Sequence, residues 1–150
     1  MDINYRAISS EDDWKWLYDR AKPVLTPNTT GIVCFDRVKM QIVAMCAFDN
    51  WTETSVQMHM AIDNPMILRH GLLEEISQYV YRDAGRDIIL ATVPADNEKA
   101  LKLNTHIGMS VVHTIKDGFK RGVDYHLLEL RKADCKWWKP EMMELKENVN

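Results

Sequence analysis

Apolar and polar positions along the chain follow two periods, and each change of period marks a new element. Asn4–Ile8 fits a short strand. Ser9, Ser10, Glu11, Asp12 and Asp13 form a helix-start cluster, with acidic residues where the positive end of the helix dipole favours them. Trp14, Leu17, Tyr18 and Ala21 then share one helical face, and Pro23 ends the helix. After a loop around Pro27–Gly31, three strand-like runs follow: Ile32–Asp36, Gln41–Phe48 and Ser55–Ile62. Their connections, Arg37–Met40 and Asp49–Thr54, are short and polar, which predicts an antiparallel meander. From Pro65 to Ala84 the period returns to helical, with Leu68, Leu72, Ile76, Tyr79 and Val80 on one face and Gly85 as the stop.

Ile88–Val93 is an unbroken apolar run rich in β-branched residues, as expected of a strand buried on both faces. The long helix before it makes Ser55–Val93 a β–helix–β crossover, so these two strands should run parallel. The stretch VPADNEKALKLNTHIGM (Val93–Met109) leaves that strand through Asp96 and Asn97, good helix caps, and closes on Gly108. Ser110–Ile115 and Val123–Glu129 are predicted strands joined by a loop, Lys116–Gly122, that holds two glycines. The remaining tail carries Trp137 and Trp138, and Pro140 could begin a last short helix. The two tryptophans either pack back on the domain or form a contact surface for a second copy or another protein.

A chain of 150 residues is expected to form one domain with a real core, assigned here to residues 1-132, followed by a tail at 133-150. Apolar residues at 46% and charged residues at 27% fit a soluble globular protein. The net charge of -3 gives no global attraction to nucleic acid or an anionic membrane. The basic clusters at 116–121 and 131–139 are short and interrupted by acidic residues, so no nucleic-acid partner is expected. No apolar run could span a bilayer, and the polar start MDINYRAISSEDDWKW does not read as a signal peptide. Cys34, Cys46 and Cys135 form no metal-ligand spacing, so neither a metal nor a disulfide is expected, and a cytoplasmic location follows.

The order of elements, together with two segments, resembles the GNAT superfamily of acyl-CoA-dependent N-acetyltransferases over about Asn4 to Arg131. The late family motif, roughly N-x-x-A-hydrophobic-x-L-Y-x-x-hydrophobic-G-F, meets Asn97, Ala100, Leu101, Leu103, Ile107 and Gly108. Met60–Gly71, MAIDNPMILRHG, sits where that family's fourth strand enters its phosphate-binding loop. The chain looks especially like small acetyltransferase-like proteins encoded by tailed phages, which would place it in the cytoplasm of a host cell. The resemblance implies an α/β (α+β) fold with a mixed, mostly antiparallel central sheet, a parallel fourth and fifth strand, and helices on both faces.

It also implies an acetyl-CoA site. The pantetheine arm would lie along Ser55–Ile62, with Met60 and Ile62 supplying backbone groups, and along Ile88–Val93. The pyrophosphate would rest on the turn of Leu68, Arg69, His70, Gly71 and Leu72. Asn97 would bond the pantetheine, and Asn104 would face the sulfur. Two departures stand out. The family loop reads Q/R-x-x-G-x-G/A, and only Gly71 is retained because Arg69 occupies the first glycine position. The family's usual acid, a tyrosine, is replaced by Asn104, which can donate a hydrogen bond but not a proton.

Candidate general bases are His59, by residue type, and the carboxylates Asp49 and Glu53 beside Trp51. A buried structural histidine is the alternative for His59, because strand alternation turns it away from Met58 and Met60 unless a bulge intervenes. Tyr125 and His126 are candidates to face a substrate cleft from opposite sides of the sheet, with Tyr125 as a replacement acid. Two functions stay open. One is an acetyl-CoA-dependent N-acetyltransferase acting on an amine of a small molecule, peptide or protein. The other is a catalytically silent phage protein of the same fold that works through protein contacts, virion-associated or host-directed.

Overall fold

The first helix starts within the predicted Ser9–Asp13 cluster, with Ser10 as its cap. The Ser10 hydroxyl accepts the Asp13 N–H at 3.1 Å, and the Asp13 carboxylate reaches back to the N–H groups of Ser9 and Ser10. That carboxylate also takes both terminal nitrogens of Arg6, at 2.7 and 2.8 Å, which ties the helix start to the preceding strand. The structure is a computed structural model and describes residues 1–139. It divides into two compact units. Among the described residues, one comprises Met1–Thr52 and Val56–Ile76; the other comprises Glu53–Ser55 and residues 77–139.

The first unit contains β1 (Ile3–Ala7), α1 (Glu11–Ala21), β2 (Thr30–Asp36), β3 (Gln41–Asp49) and, from Val56 on, β4 (Ser55–Ile62). β1 pairs with β2, β2 with β3 and β3 with β4, all antiparallel, which is the predicted meander. One face of this sheet meets α1 through Leu17, Val33, Met45, Ala47 and Ala61, flanked by Trp14 and Trp16. Leu17 is fully buried and stabilises this face by about 1.5–3 kcal/mol. Gly31 is required by close approach. A Cβ there would lie 2.2 Å from Ile8 Cδ1 and 2.6 Å from the Cys46 carbonyl oxygen. Alternation sends Cys34, Ala44, Cys46, Phe48 and Met58, all buried, to the opposite face.

The single helix predicted from Pro65 to Ala84 is three pieces. Pro65–Arg69 is a 3-10 turn capped by Asn64, α2 (Leu72–Ser77) follows, and Gln78–Asp83 is a π-helix. Gly71 separates the first two at φ +90°, outside any helix. The wider π turn, seen in the Ala84 N–H bonding the Tyr79 carbonyl, shifts the register by one residue. Val80 and Tyr81 are consequently both buried, whereas Leu68 is only half-buried and Ile67 occupies the core instead.

The second unit holds that π-helix, β5 (Ile88–Pro94), α3 (Glu98–His106), β6 (Ser110–Lys120) and β7 (Val123–Arg131). β7 pairs antiparallel with both β5 and β6. β5 is not buried on both faces: Ile89, Ala91 and Val93 are buried, while Ile88, Leu90, Thr92 and Pro94 are intermediate. β6 runs past the predicted Ile115, but its pairing with β7 breaks between Ile115 and Lys120, within the stretch expected to be loop. The start of the tail packs on this unit. Cys135 is buried and the Trp138 ring meets Tyr81 edge-on at 5.9 Å. The helix expected at Pro140 lies outside the described residues.

Candidate active site

β3 ends one residue later than predicted, and that residue is Asp49. Ala47 pairs with His59 and Asp49 with Gln57, so Asp49 and His59 are diagonal neighbours on one sheet face. The register from Ala44↔Ile62 to Asp49↔Gln57 runs without a bulge, so His59 stays on the face opposite Met58 and Met60. That is the face α1 covers further along, where Ala47 and Ala61 pack on Leu17. His59 Nε2 and Asp49 Oδ2 are 2.9 Å apart, with side-chain exposures of 22% and 8%. An ionised carboxylate can only accept, so the tautomer that makes this hydrogen bond to it has its proton on Nε2 and its lone pair on Nδ1. The other carboxylate oxygen, Asp49 Oδ1, is buried with no partner.

The connection after β3 is braced. Asn50, at φ +49°, donates to Gln57 Oε1 at 2.6 Å, and the Trp51 indole N–H donates to the Asn28 carbonyl at 3.0 Å. Glu53, the other candidate carboxylate, is exposed. A groove of about 560 Å³ lies elsewhere in this unit, lined by Trp16, Arg20, Phe35, Ile42, Asp63 and Asn64. Neither dyad residue lines it.

The predicted phosphate turn also belongs to the first unit. Arg69 and His70 are exposed, Leu68 is half-buried and Leu72 is fully buried, so Leu72 could serve a ligand only through its backbone. Gly71 sits at φ +90°, a conformation that favours glycine. The Tyr5 hydroxyl donates to the His70 carbonyl, a contact 65 residues apart in sequence that no local signal could reveal. Burial raises the Tyr5 phenol, so it remains a donor at any working pH. Met60 and Ile62 are half-buried on β4.

In the second unit, Asn97 caps α3: its Oδ1 accepts the Ala100 N–H at 3.1 Å, and the exposed side chain leaves Nδ2 able to donate elsewhere. Asn104 is buried at 8% exposure, and its amide donates to the Ala100 carbonyl at 3.0 Å. Tyr125 donates to Thr92 Oγ1 at 2.9 Å and lies 5.6 Å from the Phe119 ring, while His126 Nδ1 meets Thr114 Oγ1 at 2.8 Å. Tyr125 pairs with Pro94 and His126 with Val93, so the two side chains take opposite faces as predicted. Among the described residues no group of three or more His, Cys, Asp or Glu side chains is placed to hold a metal ion. Nor is any helix among them long and apolar enough to cross a membrane.

No family model and no curated protein matches the chain. Solved structures do. The spermidine/spermine N-acetyltransferase SpeG from Vibrio cholerae, in complex with manganese ions, superimposes with a TM-score of 0.70 at 11% identity, over 99% of this chain and 98% of that one. A protein assigned to the GNAT family of acetyltransferases from Desulfovibrio desulfuricans gives 0.66 at 14% identity, over 86% and 98%. A protein assigned as a phosphinothricin N-acetyltransferase gives 0.61 at 15% identity, over 87% and 98%. At such identities the likeness shows the fold, and it is the α+β fold of the GNAT acetyltransferases expected from the sequence. Nothing among these structures supports a phage origin.

Proposed function

We propose that the protein is an acetyl-CoA-dependent N-acetyltransferase whose general base is His59, oriented by Asp49. The observation that carries this reading is the buried carboxylate of Asp49 at 2.9 Å from a half-buried imidazole, on a fold shared with N-acetyltransferases. An alkyl amine with a pKa of about 10.4 is protonated at neutral pH, and as an ammonium ion it has no lone pair, so it first gives one proton to bulk water and attacks as the neutral amine. As the amine nitrogen bonds to the thioester carbonyl, its proton becomes far more acidic. An imidazole with a lone pair on Nδ1 can then take it, directly or through one water. The carbonyl becomes an oxyanion, which backbone N–H groups of β4 would stabilise. The carbon–sulfur bond breaks and CoA leaves as a thiolate. Its conjugate acid has a pKa of about 8.5, so the absence of the tyrosine at Asn104 removes a helpful acid but not a necessary one.

Residues suited to acetyl-CoA are present in both units. The Gly71 N–H and the Arg69 and His70 side chains fit an anionic pyrophosphate, and Asn97 Nδ2 fits an acceptor on the pantetheine arm. Tyr125, already bonded to Thr92, would order the acceptor side rather than donate a proton. The buried, internally bonded Asn104 and the displaced first glycine favour a second reading, in which the fold serves as a scaffold for protein contacts and turns nothing over. The test is release of CoA thiol from acetyl-CoA in the presence of a panel of amines. The panel includes spermidine, spermine and phosphinothricin, the compounds that structurally similar proteins are named for. Thiol release that depends on an amine and falls about 10²-fold or more in His59→Ala supports the enzyme. No release with any amine, together with no binding of acetyl-CoA, supports the scaffold.

A further inference from the structure

The turn between Ile67 and Leu72 is fixed by a group far away in sequence. β1 carries Tyr5 on the face opposite α1, paired with Cys34, and its hydroxyl ends on the His70 carbonyl. A trans peptide is planar, with its C=O and N–H pointing in opposite directions. Holding the His70 carbonyl toward β1 therefore turns the next N–H, that of Gly71, away from β1. The neighbouring backbone groups are otherwise engaged: the His70 N–H bonds the Ile67 carbonyl at 3.0 Å, and the Gly71 carbonyl accepts the Glu75 N–H at 3.0 Å. The Gly71 N–H meets no acceptor among the described residues. Gly71 reaches this arrangement at φ +90°, where a side chain would be strained although space exists, the nearest atom to a Cβ being the Tyr5 hydroxyl at 3.8 Å.

We propose that Tyr5 is a positioning residue for the acyl donor: by fixing the His70–Gly71 peptide, it aims the Gly71 N–H outward as a donor to the pyrophosphate of acetyl-CoA. The proposal rests on the acetyltransferase reading above and adds a residue that the late motif and the glycine turn do not contain. In this chain Arg69 stands where the first glycine of that turn is expected, and a peptide held from behind by a phenol supplies the orientation without it. Tyr5 touches neither donor nor acceptor, so its effect should appear in binding of the donor rather than in the chemical step.

The test is calorimetric titration of wild type, Tyr5→Phe and Gly71→Ala with acetyl-CoA and with S-acetylpantetheine, which lacks the pyrophosphate. Tyr5→Phe removes the hydroxyl and keeps the ring, and is expected to weaken acetyl-CoA about five- to tenfold, the span of one hydrogen bond of ordinary net strength. Its affinity for S-acetylpantetheine should stay at the wild-type value, and with an acceptor KM for acetyl-CoA should rise while kcat holds. Gly71→Ala leaves the phenol in place, disturbs the same peptide and should show the same selectivity, which covers the case of a poorly folded Tyr5→Phe. Equal weakening of both ligands, or acetyl-CoA affinity within twofold of wild type in both variants, overturns the proposal. Wild type that binds no acetyl-CoA overturns the acetyltransferase reading itself, a different outcome from selective binding that ignores Tyr5.

Discussion

Replacing Asp49 by Asn separates a catalytic dyad from a structural pair. The side chain that takes the carboxylate's place must put its amide NH₂ on one of two sides. Turned toward the position of Oδ1, the NH₂ would be buried where the structure offers no partner, at a cost of about 1–3 kcal/mol. Turned toward His59, at the 2.9 Å now spanned from Oδ2, it donates to Nε2 and satisfies itself. The second arrangement wins, and it moves the ring proton to Nδ1, leaving the substrate side without a lone pair. A positioned general base contributes about 10²–10⁴-fold, equivalent to about 2.7–5.5 kcal/mol of barrier. Asp49→Asn should therefore lower kcat/KM at least about 10²-fold, close to the loss in His59→Ala, and the double variant should lose little more. Stability should change by about 1 kcal/mol or less, because a hydrogen bond is kept while a buried charge with one unpartnered oxygen is removed. Steady-state kinetics with the acceptor that the amine panel identifies, a urea titration and the histidine nitrogen NMR shifts read the three quantities. Full activity in Asp49→Asn, or losses that simply add in the double variant, would refute the dyad.

Three further outcomes follow from the packing. The hydrogen-bonded Arg6 guanidinium holds the Asp13 carboxyl well below the usual carboxylate range, so its stabilisation is complete above an ordinary carboxyl pKa of about 3.9 and fades as pH falls through the lower folded value. Asp13→Asn should be destabilised at neutral pH, and its stability should vary less with pH below about 4 than that of wild type in acid titrations followed by circular dichroism. Burial pushes the Cys34 thiol up to about 12 and that of Cys46 well above its ordinary value. At pH 8 both should resist iodoacetamide in the folded protein and react at the rate of unfolding, which mass spectrometry of labelled peptides can follow. Gly31→Ala should cost about 1–3 kcal/mol in urea unfolding, because a Cβ 2.6 Å from a backbone carbonyl cannot be relieved by a rotamer change.

Much of the first unit was legible in the sequence because its signals are local. The Ser9–Asp13 cluster announces a helix start, and the alternating runs between short polar links announce the meander. The helix after β4 reads as one piece in the sequence because Leu68, Leu72 and Ile76 keep helical spacing across Gly71, and because a π turn leaves no trace in a 3.6-residue period. Asp49 reads as a solvated loop carboxylate until β3 is seen to extend one residue and place it diagonally from His59. Parity along β3 and β4 could have hinted at this: Ala47 and Asp49 share a face, and so do Gln57 and His59. The Tyr5 contact offered no such hint, since nothing in either segment specifies a partner so distant. The cap at Asn97 is a local signal that the structure bears out, whereas the burial of Asn104 toward its own helix depends on packing that the motif does not encode.

Whether this chain holds an acyl-CoA is read by a calorimetric titration with acetyl-CoA, repeated with Asn97→Ala. The expected result is saturable micromolar binding by wild type and weaker binding by the variant, whose cap loss alone should cost only about 0.5–2 kcal/mol of stability and leave it folded. Absence of binding by folded wild type at millimolar acetyl-CoA would rule out an acetyl-CoA-dependent enzyme.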